Sequence, residues 1–163
     1  KATVDGAELE LTVLPLPGLE LTAKYAYLNG DYDEIKEADG DDIADQFRYP
    51  NAPRHSYSVD LEYLFPPLPV GDLSARVGYS WQDEKYTSSS IDTGRFIVDN
   101  YGLLNARLAL SNIPLPKGSL SLAAWGKNLE DREYYIAHFD LRIIQAAIFG
   151  EPRSYGFDLR YDF

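Results

Sequence analysis

Apolar and polar residues alternate along most of this chain. Near one end Ala7, Leu9, Leu11 and Val13 interleave with Glu8, Glu10 and Thr12; at the other, Tyr155, Phe157, Leu159, Tyr161 and Phe163 interleave with Gly156, Asp158, Arg160 and Asp162. The same two-residue period runs through 19–27, 56–65, 73–81, 104–111 and, less regularly, 120–127. A period of two sends alternate side chains to opposite faces, so the pattern predicts seven β-strands, each with one apolar and one polar face.

The connections come in two kinds, and they alternate. "LPLPG" at 14–18, "FPPLPVGD" at 65–72 and "IPLPKG" at 113–118 are short and proline-rich, which stops a strand ladder from extending. The others are long and polar, over roughly 29–52, 83–100 and 130–152. Short turns on one rim and long loops on the other describe an all-β, antiparallel, up-and-down meander of about seven strands. One helix is expected, in "LRIIQAAIFG" at 141–150, where Ile143, Ile144, Ala147 and Ile148 fall at helical spacing.

A water-soluble sandwich would bury the apolar faces, whereas a transmembrane barrel turns them to lipid and lines its lumen with the polar ones. The contrast between rims favours the barrel, as do strands close to the ~9–11 residues that cross hydrocarbon when tilted. Aromatic residues gather toward strand ends (Tyr25, Tyr27, Tyr63, Phe65, Tyr79, Trp81, Tyr161, Phe163), as interfacial girdles would. No run is long and apolar enough for a membrane-spanning helix. Seven strands also pose a problem of closure: an odd meander closes only through a parallel seam, and an open one leaves two bare edges that recruit further strands. The sheet is therefore expected either as part of a transmembrane barrel or completed by other chains.

Composition narrows the chemistry. The net charge of −11 excludes nucleic acid as a partner, since phosphate binding needs an excess of Lys and Arg. The absence of cysteine removes thiol chemistry. The two histidines, His55 and His138, are far apart, no Gly-x-Ser-x-Gly elbow or phosphate loop occurs, and no enzyme is expected. The loop at 29–46 concentrates Asp31, Asp33, Glu34, Asp39, Asp41 and Asp42. Such oxygens suit calcium, although the spacing differs from the twelve-residue calcium loop and a solvated acidic loop would look the same. On the polar strand faces Arg76, Arg107, Trp125 and Lys127 are ligand-contact candidates for an anionic iron chelate, a sugar or a plug surface; pairing with carboxylates of neighbouring strands is the structural alternative.

The runs "YGLLNARLALSNIPLP", "GSLSLAAWGKNLEDREYY" and "GEPRSYGFDLRYDF" resemble the C-terminal strands of TonB-dependent outer-membrane receptors. The most specific piece is "GKNLEDREYY" at 126–135, which matches a Gly-basic-Asn-Leu-x-Asp-x-x-Tyr segment leading from the penultimate strand into the last loop. The opening "KATVDGAELELTVLPLPGLELTAKYAYLNGDYDE" resembles an earlier hairpin of the same barrels. The resemblance implies that Phe157, Leu159, Tyr161 and Phe163 form the signal read by the outer-membrane assembly machinery. It also implies that residues 1–163 are the C-terminal part of a longer receptor, with neither plug nor energy-coupling box in this stretch. The partners would be outer-membrane lipid and the remaining barrel strands and plug. The intact protein would take up a nutrient such as an iron chelate, and this part alone would transport nothing. The alternative is a self-assembling β-sheet protein derived from such a barrel, in which copies pair edge to edge into a ring, tube or extracellular filament.

Overall fold

The computed structural model of the chain describes residues 1–89, 97–140 and 144–163. Seven long strands form one antiparallel sheet: β1 (Ala2–Leu16), β2 (Leu19–Tyr32), β3 (His55–Leu64), β4 (Asp72–Gln82), β7 (Tyr101–Pro114), β8 (Ser119–Lys127) and β11 (Ser154–Asp162). The sheet order is β1-β2-β3-β4-β7-β8-β11, a meander in which each long strand lies beside the long strand that precedes it in the chain. All seven predicted strands are present. The short strands β5 (Lys85–Tyr86) and β6 (Ile97–Val98) pair within the second long loop, and β9 (Tyr135–Asp140) and β10 (Gln145–Phe149) pair within the third.

That second hairpin corrects one expectation. The helical spacing of Ile144, Ala147 and Ile148 does not produce a helix, because Gln145–Phe149 is strand β10, paired antiparallel with β9. A short run of Ile and Phe satisfies either period, and a cross-strand partner distant in sequence decides between them. Ile143 lies outside the described residues.

Proline and positive-φ residues shape the short rim. Pro15 lies in β1 where the register shifts between Val13 and Leu16, and Gly18 turns the chain into β2 at φ 81°. Gly18 tolerates that conformation because it lacks a Cβ, which would fall on the Leu64 carbonyl. The opposite rim holds a connected layer of loops. Arg48 N donates to Ser89 O (2.6 Å), Asn51 N to Tyr86 O (2.7 Å) and Thr87 Oγ1 to His138 O (3.0 Å). There β6 contacts β9, and its Val98 is 1% exposed.

The sheet is a single layer. Among the described residues only Val98 and Ala123 are buried apolar side chains, while Leu9, Leu11, Leu108, Phe157 and Leu159 stand open on one face. Among the described residues no second sheet packs on that face, so this chain is not itself a two-layer sandwich. Aromatic groups mark both ends of the apolar face. Tyr57 stacks on Trp81 (5.2 Å between centroids) and Tyr25 bonds to His55 Nδ1 (2.8 Å) at the long-loop end, while Tyr63 meets Phe65 (4.6 Å) at the short-turn end. Between them lie Leu21, Ala23, Val59, Leu61, Ala75 and Val77.

The family-like segment at 126–135 proves to be a clamp. Asn128 is nearly buried at a φ of 48°. Its backbone N–H donates to Asn105 Oδ1 (3.0 Å), its Nδ2 to the carbonyls of Arg132 (2.9 Å) and Glu151 (3.1 Å), and its Oδ1 accepts from Arg132 N (2.9 Å). One residue, through its backbone N–H to β7 and its side chain to the loop, thus ties β7, the end of β8 and the approach to β11 together. Asp131 accepts from Arg153 N (3.3 Å) and pairs with its guanidinium (3.1 Å), and the Tyr134 ring meets that of Tyr101 at a tilt (4.3 Å between centroids).

Candidate functional site

On the polar face the ladders bring charged side chains from six strands into one band. At the β1–β2 pair, Lys24 bridges to Glu10 (2.9 Å). On β4, Nε and Nη2 of Arg76 both donate to Asp60 Oδ1, at 3.1 and 2.9 Å. Arg107 of β7 reaches across β8 to Asp158 of β11, with Nη1 donating to Oδ2 at 2.6 Å. The strand it crosses presents Ala123, which is opposite Asp158 in register and only 8% exposed; a larger residue there would obstruct the span.

Trp125 completes this cluster. Its Nε1–H donates to Asp158 Oδ1 (3.2 Å), so one carboxylate holds both the guanidinium and the indole. The ring lies over Gly156, its register partner, where any Cβ would collide with the indole. Lys127 Nζ stands 5.7 Å from the centre of that ring and 4.0 Å from Glu151. The four ligand-contact candidates, Arg76, Arg107, Trp125 and Lys127, therefore line one concavity on one face. Each also has a polar partner in the protein, the structural alternative anticipated for them. Sequence reasoning missed Asp158 as the shared acceptor and Gly156 as the space for the ring, because both roles depend on the β8–β11 register. The alternating strand pattern did place Asp158 on the correct face.

The acidic loop distributes its carboxylates among separate partners. Asp31 accepts from Asn29 (2.9 Å), Asp33 from Thr3 (2.7 Å), and Glu34 pairs with Lys36 (2.8 Å). Asp39 accepts from the Asp41 backbone (3.3 Å), and Asp42 Oδ1 from the N–H groups of Ile35 (3.0 Å) and Ala44 (3.1 Å). These two backbone donors hold the Asp42 carboxyl below its ordinary range. Among the described residues no three acidic or histidine side chains form a group able to hold a metal ion.

Phe157, Leu159 and Tyr161 project from the apolar face of β11, with Phe163 just beyond it; Phe157 is 87% and Phe163 99% exposed. The Tyr161 hydroxyl also donates to the Lys117 carbonyl, fastening β11 to the turn between β7 and β8.

The family model described as TonB dependent receptor-like, beta-barrel matches residues 1–129. Among solved structures, the ferric yersiniabactin uptake receptor FyuA from Yersinia pestis shares the fold at 18% identity and a TM-score of 0.79, over 99% of this chain and 24% of that one. BauA, the ferric preacinetobactin receptor from Acinetobacter baumannii, gives 18% identity and 0.77, over 99% and 22%. The ferripyoverdine receptor of the Pseudomonas aeruginosa outer membrane gives 22% identity and 0.64, over 99% and 20%. This chain thus spans between a fifth and a quarter of the length of these receptors.

Proposed function

Because the chain belongs to the TonB-dependent receptor-like β-barrel family, we propose that residues 1–163 form the C-terminal barrel segment of an outer-membrane receptor for nutrient uptake, with iron chelates the favoured cargo. The family is one of outer-membrane receptors rather than enzymes. The observation that carries the reading is the single-layer sheet with faces of opposite chemistry. Its apolar face, banded by aromatics at both ends, suits lipid, and its charged band suits a water-filled lumen. The three similar structures, a ferric yersiniabactin uptake receptor, a ferric preacinetobactin receptor and a ferripyoverdine receptor, support the cargo class.

The unpaired outer edges of β1 and β11 set a further requirement. An unpaired backbone N–H or C=O in hydrocarbon costs several kcal/mol, so further strands cover both edges in the membrane. In this proposal they belong to the same receptor, a plug occupies the lumen, and Phe157, Leu159, Tyr161 and Phe163 act as the insertion signal. Arg76, Arg107, Trp125 and Lys127 face what fills or crosses the lumen.

Fractionating native membranes and measuring the denatured mass of the polypeptide carrying this stretch tests the proposal. Recovery in the outer membrane at a mass far above 18.4 kDa is expected. A species near 18.4 kDa in large assemblies would instead leave the edge-to-edge self-assembling sheet.

A further inference from the structure

Arg76 and Arg107 are direct partners in the β4–β7 ladder, and both stand on the polar face. Like charges placed directly opposite destabilise a strand pair. The protein's own carboxylates offset the charge of these two but occupy only part of their hydrogen-bonding capacity. Arg76 directs two of its nitrogens to a single oxygen of Asp60, although Glu62 is its direct neighbour on β3. Arg107 gives one N–H to Asp158, whose second oxygen is taken by Trp125. A guanidinium carries five N–H donors on three nitrogens. Nη1 of Arg76, and Nε and Nη2 of Arg107, therefore have no hydrogen-bond partner among the described residues.

These spare donors belong to side chains that are about half exposed, 55% for Arg76 and 46% for Arg107. They border a concavity of about 490 Å³ that Lys127 also lines, with Asp60 in its wall; Asp158 and Glu151 meet Arg107 and Lys127 from outside the lining, and Glu62 and Glu20 act on Arg76 from neighbouring strands. That volume lies within the ~300–1,000 Å³ range of small-molecule sites. Trp125 gives it one fixed side, held by the bond to Asp158. We infer that Arg76 and Arg107 together form a carboxylate site on the lumenal wall, in which one carboxylate-bearing group bridges the two guanidiniums. Both arginines already bind carboxylates in this fold, and the planar fork of guanidinium matches a carboxylate in two-point contact. The group comes either from a soluble ligand or from an acidic side chain of the polypeptide that fills the lumen. The inference rests on the lumen-facing orientation proposed above.

The test uses the complete polypeptide that carries this chain, in detergent. Its thermal midpoint is followed against succinate, with sodium chloride of equal ionic strength as reference. A soluble source predicts a succinate-specific, saturable rise whose half-saturation weakens at least about tenfold in Arg76→Gln. The double change Asp60→Asn with Arg76→Gln leaves no stranded carboxylate and is expected to weaken it equally. For an internal source, Arg76→Lys is treated with a water-soluble carbodiimide, which joins the introduced amine to any carboxylate in contact. A cross-link to a carboxylate outside this sheet, and so other than Glu20, Asp60, Glu62 or Asp158, supports the site. An outer-membrane polypeptide showing neither signal overturns the carboxylate site and leaves the receptor reading standing. Absence of the polypeptide from that membrane overturns the receptor reading itself.

Discussion

Replacing Val77 by arginine separates a lipid-facing sheet from any other use of the same strands. Val77 sits halfway along β4 on the apolar face, 45% exposed, opposite Leu61 on β3 and Ala106 on β7. Tyr79 and Trp81 lie on its long-loop side, and Leu73 lies near the short-turn rim of the same strand. On a barrel's lipid face an arginine costs about 2–4 kcal/mol at the bilayer midplane and about 0–1 kcal/mol near an interface. Val77→Arg should therefore lower the folding constant by roughly 30- to 700-fold, and Leu73→Arg by less than about fivefold. Ser80→Arg, on the polar face, should fall within about 0.5 kcal/mol of neutral. Denaturant unfolding of the complete polypeptide in lipid vesicles measures all three, with alanine at each position as reference. Equal costs at Val77 and Leu73, or a cost at Ser80 matching that at Val77, would refute the lipid-facing assignment.

The remaining expectations concern the polar cluster and the first long loop. A double-mutant cycle between Arg107→Ala and Asp158→Ala should give a coupling of about 0.2–1 kcal/mol, because both side chains are near half exposed (46% and 50%); a value above about 3 kcal/mol would mean the lumenal face is closed to water. Gly156→Val should push the Trp125 indole off Asp158 and cost about 1–3 kcal/mol. In a Trp81→Phe background, emission from this segment's remaining tryptophan should move to longer wavelength, and an unchanged spectrum would contradict the packing. The Asp42 carboxyl is held below its ordinary range, so the stability it lends the loop is present above its unfolded pKa, near ~4, and is lost as pH falls through the lower folded value. Protection of the Ile35 and Ala44 amides from hydrogen exchange should fall in that window, and Asp42→Asn should remove the pH dependence; identical profiles in both proteins would sink the assignment.

The strands were legible because each half-buried strand writes its own period into the chain, whatever its neighbours are. Tyr57, Val59, Leu61 and Tyr63 declare a face before any partner is known, and the structure places all four as expected. The short turns were legible for a related reason, since proline and glycine act locally. What stayed hidden depends on pairing across distance. Nothing near residue 145 announces that β10 pairs with β9, so the Ile spacing read as a helix. The Arg107–Asp158 bridge spans 51 positions and a whole intervening strand, and it needs a small residue at Ala123 and a glycine at Gly156. Those requirements become visible only when the register is fixed. The acidic loop left two readings open, a calcium site and a solvated loop, because local sequence does not show which carboxylates meet; in the structure most of those named accept from nearby N–H groups or pair with lysine.

A cysteine scan along β3 in native outer membranes tests the assignment of the two faces most directly. Single cysteines at Ser56, Ser58, Asp60 and Glu62 should react with a small water-soluble maleimide, while those at Tyr57, Val59, Leu61 and Tyr63 should stay protected. A period of two in the labelling, in that phase, is the predicted result. Uniform labelling, or the same period in the opposite phase, would contradict a lipid-facing apolar surface and a water-filled polar one.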